Sequence, residues 1–82
     1  MTAKEAFRQA MRTEDEIKIQ LARFIERQKG EFSPHTYRAA ALIRAQVDGL
    51  EYAYLKREWE FVEARLNECR AALAELEAPD GR

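Results

Sequence analysis

The sequence predicts an all-α protein: an antiparallel helical hairpin that completes its core by association, as a four-helix bundle or coiled-coil dimer. Two observations lead there. Residues 54–77 read YLKREWEFVEARLNECRAALAELE, in which Leu55, Trp59, Val62, Leu66, Cys69, Leu73 and Leu76 recur at alternating steps of four and three. That spacing is one apolar face of a helix sustained over about three heptads. The second observation is KGEFSPHTY, residues 29–37, where each residue suits a junction between two helices.

The first helix is expected over about residues 2–29. Phe7, Ala10, Met11, Ile17, Leu21, Phe24 and Ile25 share one face of it. Thr13-Glu14-Asp15-Glu16 has the form of a capping box, where a helix could restart. The shared face runs across that point and favours one continuous helix. A turn at 30–33 follows. Gly30 suits the left-handed position just past a helix end, Ser33 an N-cap and Pro34 the first helical residue. Phe32 and Tyr37 stand where a hydrophobic staple would pair them. So short a connection favours antiparallel neighbours.

The second helix is expected over about residues 34–77. Asp48-Gly49 is its one weak point: an interior glycine costs about 1 kcal/mol against alanine, and a break there would give three helices instead of two. Unbroken, the two helices would measure roughly 42 and 66 Å. Roughly 24 Å of the second, carrying Cys69, Leu73 and Leu76, would then lack a partner within the chain. Its apolar residues also form two stripes. Ile43, Val47, Leu50, Tyr54 and Phe61 lie roughly 120° around the helix from the row begun by Leu55, and one short neighbour covers only one of them. Coverage by a second chain is therefore the favoured reading, and self-coverage through a break at Gly49 is the alternative. Residues 78–82, Ala-Pro-Asp-Gly-Arg, end the helix and are expected to form a disordered tail.

Composition narrows the function classes. Eighty-two residues make one domain, and a domain this small is often helped by a metal, disulfides or oligomerisation. The single cysteine, Cys69, makes no internal disulfide and suits a reducing compartment or a small apolar filler. Hydrophobic residues make up 46% and charged residues 35%, which provides both a core and a solvated face. The net charge of −1 gives no global steering toward nucleic acid or anionic lipid. The longest apolar run, residues 39–43, is far too short to cross a bilayer. With no apolar signal core after MTAKEAFRQAMR, a cytoplasmic location is expected.

Chemistry is sparsely signalled. Glu51, Glu58, Glu60, Glu63 and Glu68 crowd the second helix, but the only histidine, His35, sits at its start with no glutamate three residues before it. A helical di-metal site needs that pairing, so neither a metal nor a cofactor is expected. Lys56, Glu58, Glu63, Arg65, Arg70 and Glu77 flank the row, as charges do beside a coiled-coil seam. Cys69 lies in the row itself, where a buried thiol is inert, and Ser33 reads as a cap. No glycine-rich phosphate loop is present. Tyr37, Tyr52, Tyr54, Trp59 and Phe61 fall within 25 residues, and interface centres are rich in such aromatics.

The function expected is binding without catalysis: a small helical protein–protein interaction module, such as an assembly adaptor, a chaperone-like subunit or a phage-type inhibitor of a larger protein. Leu55, Trp59, Val62, Leu66, Cys69, Leu73 and Leu76 would form the oligomer seam. Ile43, Val47, Leu50, Tyr54 and Phe61 would meet a partner or complete the dimer. The partners expected are a second copy and another protein, with no membrane and no nucleic acid. An alternative is a nucleic-acid binder using Arg8, Arg12, Arg23, Arg27 and Arg38, with Arg44 nearby, although Asp15 and Glu16 interrupt that basic set. A further alternative is a small all-helical dimeric enzyme. Arg12, Asp15 and Arg27 resemble the charged residues on the long first helix of chorismate mutases, at a spacing that departs from theirs. The resemblance implies catalysis by charge placement.

Overall fold

The computed structural model describes residues 1–28, 31 and 33–78. Its helices are α1 (Ala3–Gln28), α2 (Pro34–Asp48), α3 (Glu51–Leu55) and α4 (Trp59–Glu77). Phe7 of α1 meets Trp59 at the start of α4, and Arg27 near the end of α1 meets Glu77 at the end of α4. These two helices therefore run in the same direction. Lys18 to Ile25 of α1 face Arg44 to Tyr37 of α2, so α2 runs opposite to both. The molecule measures 42 × 21 × 19 Å.

Local chemistry explains the helix starts. The Thr2 hydroxyl accepts from the Glu5 N–H at 3.2 Å, and the Glu5 carboxylate accepts from the Thr2 N–H at 3.4 Å, a reciprocal capping box. The similar signal at Thr13 starts nothing. Ala10, Ile17, Leu21 and Phe24 keep one inward face across it, and α1 continues. Ser33 caps α2 by accepting from the Thr36 N–H at 3.0 Å, with Pro34 in the first turn. The expectations for Gly30, for the Phe32–Tyr37 staple and for the tail from Pro79 to Arg82 lie outside the described residues.

The second helix is not the continuous rod expected over residues 34–77. At Gly49 the chain only tightens. Gly49 and Leu50 keep right-handed dihedrals (φ −74° and −81°), and the Leu50 N–H reaches the Val47 carbonyl. The reversal comes seven to nine residues later, at Lys56-Arg57-Glu58. Arg57 has φ 57°, the one positive φ at a non-glycine among the described residues. The Glu58 N–H bonds back to the Ala53 carbonyl at 3.0 Å and the Arg57 N–H to the Tyr54 carbonyl at 3.1 Å. Those two bonds make a Schellman cap, with arginine where glycine is usual.

Burial explains why the chain turns there. The left-handed backbone costs a residue bearing a Cβ about 1–2 kcal/mol. Turning lays α4 against α1 and α2 and buries Val62, Leu66, Cys69 and Leu73 almost completely. Each of the larger side chains gains roughly 1.5–3 kcal/mol on leaving water, so a lone chain gains more than the turn costs. Ile17 and Leu21 from α1, Ala40, Ile43 and Val47 from α2, and Leu50 and Ala53 complete this core. The hairpin expectation is corrected accordingly. Most of both apolar stripes of the C-terminal half is covered within one chain, because reversing α4 turns one stripe to face the other; Leu55 and Phe61 stay exposed.

Charged contacts on the α1–α4 side set register. Glu77 accepts from Arg27 and from Gln20, each at 2.7 Å, and Arg70 reaches Glu16 at 3.4 Å. Exposed pairs of this kind contribute about 0–1 kcal/mol each.

Candidate functional site

The expected seam and partner stripe are mostly core. Val62, Leu66, Cys69 and Leu73 are buried and Leu76 is half-buried, all against this chain's own helices. Ile43, Val47 and Leu50 are buried with them, so these three do not present themselves to a partner. This corrects the partner-stripe assignment, and its cause is the turn at Arg57. Leu55 departs the other way. It opens the 4–3 row in sequence yet is 77% exposed, because the reversal directly after it separates it from Trp59. Tyr54 and Trp59 pack edge-to-face with Phe7, the three ring centroids standing 5.9–6.1 Å apart. Phe61 is 49% exposed, with the Arg65 guanidinium 5.3 Å from its ring centroid.

Three polar groups lie enclosed in or beside this core. The Tyr54 hydroxyl has no hydrogen-bond partner among the described residues. Burial first, and then the nearby Glu14 carboxylate, hold the phenol protonated well above its ordinary value of 10.0. Glu14 is itself buried and pairs with Lys18 at 3.2 Å. The Cys69 thiol donates to the Gln46 side-chain oxygen at 3.6 Å. Burial pushes it above its ordinary 9.0, with Arg65 opposing and Glu68 adding to the rise, so it is a poor nucleophile.

The open apolar feature is a groove lined by α1, α2 and α3. Toward the end of α1 and the start of α2, a cleft of about 280 Å³ is lined by Leu21, Ala22, Ile25, Tyr37, Ala40 and Ala41. Lys18 and Arg44 stand at its margin. Ile25 is 41% and Tyr37 64% exposed. A wider cleft toward the other end of the same helices has an apolar floor of Phe7, Met11, Val47 and Leu55. Its acidic groups are Glu14, Asp48 and Glu51. Lys18 pairs with Glu14 and Arg44 with Asp48, each four residues along its own helix. Lys18 lines both clefts, so the charges of the groove gather where the two meet, in two ion pairs. Its sequence signal is the width of the first helix's apolar face. That face includes Phe7, Met11 and Ile25, at the edge toward α2, beyond what the core uses.

The rival sites do not come together in the same way. Arg8, Arg12 and Arg23 are exposed on α1 among Glu5, Asp15, Glu16 and Glu26, Arg38 is on α2, and Arg27 is paired with Glu77. Phosphate binding needs a clustered basic face, and this surface is mixed. Arg12 and Arg27 lie roughly 22 Å apart along α1, and neither lines the small cleft of about 120 Å³ between α1 and α4 near Trp59, Asn67 and Arg70. His35 is exposed at the start of α2. Among the described residues no three His, Cys, Asp or Glu side chains group as metal ligands, and no helix is long and apolar enough to cross a membrane. Comparison with protein-family models, with curated proteins and with solved structures finds no match.

Proposed function

We propose that this chain is a non-enzymatic protein-binding module that seats an amphipathic helix of another protein in the groove between α1 and α2. The observation that carries the reading is the apolar cleft flanked by exposed Ile25 and Tyr37. Helix-in-groove docking uses apolar anchors spaced i, i+3, i+4 and i+7, and two neighbouring helices offer a third the ridges and grooves by which helices pack. Such a module serves as an assembly adaptor, a chaperone-like subunit or an inhibitor that occludes a larger protein. The buried, unpaired Cys69 thiol supports a reducing compartment, the cytoplasm.

The test is affinity purification from the native host with the wild-type chain and with an Ile25→Glu/Ala41→Glu variant. Both positions are exposed, so circular dichroism of the variant is expected to match wild type. A protein recovered with the wild type and lost with the variant supports the groove. Equal recovery by both, or none by either, overturns it.

A further inference from the structure

The turn at residues 56–58 is disfavoured by its own residues. Lys56, Arg57 and Glu58 are all good helix formers, and none is the glycine, asparagine or proline that marks a helix end. Arg57 holds a left-handed φ of 57°, which a residue with a Cβ resists. The apolar row also ignores the turn, since Leu55, Trp59, Val62 and Leu66 keep their 4–3–4 spacing straight across it. The closed chain leaves the first member of that row, Leu55, in water. Local sequence therefore favours a straight helix, and only the docking of α4 on α1 and α2 bends it. We propose that two copies of this chain exchange α4, giving a domain-swapped homodimer in which residues 34–77 straighten into one rod.

Exchange keeps what α4 already makes. Val62, Leu66, Cys69 and Leu73 enter the same core, now between α1 and α2 of the second copy, and Glu77 and Arg70 meet that copy's Arg27 and Glu16. Since α2 and α4 are antiparallel in the closed chain, two rods of roughly 66 Å pass each other about a twofold axis near residues 55–58. This is a closed, isologous arrangement. Two things are gained. Both Arg57 backbones relax to right-handed helix, and Leu55 rejoins its row, facing the second rod. The opposing term is the entropy of association, so concentration sets the balance. Short hinges under strain favour such exchange. The α1–α2 groove is built within one copy, so the exchange goes beyond the docking reading and does not rest on it.

Sedimentation velocity from micromolar to millimolar concentration is expected to show a monomer–dimer equilibrium. Arg57→Gly, which fits the turn, is expected to raise the dissociation constant by roughly tenfold or more, since both hinges are affected. Leu55→Ser is expected to weaken the dimer while leaving the monomer's thermal melt unchanged. The connectivity is read in a Cys69→Ala chain carrying Arg27→Cys and Glu77→Cys. The isolated dimer is treated with a short bis-maleimide and run on a denaturing gel. Chains joined in pairs support exchange. No dimer at millimolar concentration, a dimer indifferent to both single variants, or cross-links only within single chains would overturn it.

Discussion

Replacing Arg57 with glycine isolates the one backbone position that this fold holds against its residue's preference. At φ 57° the Cβ of arginine crowds the following carbonyl, at a cost of about 1–2 kcal/mol. Glycine removes that term. It also frees the unfolded chain, which returns roughly 0.5–1 kcal/mol in favour of unfolding. The difference is a stabilisation of about 0–1.5 kcal/mol. At roughly 4–8 °C per kcal/mol for a domain of this size, the melting temperature should rise by up to about 12 °C. Arg57→Ala is the control. Alanine keeps the Cβ and loses a solvent-exposed side chain, so its stability should stay within about 0.5 kcal/mol of wild type. The assay is thermal and urea unfolding followed by circular dichroism at low micromolar concentration, where self-association is minimal. A glycine variant less stable than wild type, or an alanine variant as stabilised as glycine, would show that Arg57 is not held left-handed.

Leu66→Ala is expected to cost about 2–5 kcal/mol because Leu66 is 2% exposed in the core, whereas Leu55→Ala should change stability by less than about 0.5 kcal/mol. Similar losses in urea melts would refute the turn that separates the two. Alkaline pH should also destabilise the fold. Cys69 and Tyr54 both hold their protons above ordinary values of 9.0 and 10.0. The unfolded chain releases those protons first. Their contribution is therefore complete below pH 9 and is lost as pH rises through the folded values, by up to about 1.4 kcal/mol per pH unit for each group. Tyr54→Phe should remove the tyrosine part of that fall and cost little at pH 7, because the hydroxyl has no partner. A wild type with equal stability at pH 8 and pH 11, or a Tyr54→Phe variant with an unchanged pH slope, would refute this.

The sequence disclosed the helices and hid the corner. Ser33 and Pro34 announce the start of α2 by chemistry that acts within four residues, and that start is where they place it. The 4–3 spacing likewise marks Val62, Leu66, Cys69 and Leu73 as members of one buried face. What it conceals is the partner of that face. Arg57 carries no stop signal, and the row runs through it unbroken, so local pattern alone points to a straight rod with two uncovered stripes. The reversal is decided by long-range burial among Ile17, Leu21, Ile43, Val47 and the α4 residues, which no local window contains. Gly49, the weak point of the C-terminal half by composition, absorbs only a tightened turn. Of the groove, the sequence showed the surplus width of α1's apolar face at Phe7, Met11 and Ile25. It did not show that α2 and α3 line a groove along that edge.

The parallel course of α1 and α4 has a geometric outcome. A chain that crosses its own length an odd number of times leaves by the end opposite the one it entered. Here Ala3 and Glu77 belong to opposite poles of a body 42 Å long. Whatever is fused before α1 and whatever is fused after α4 would be held apart by the full length of the molecule.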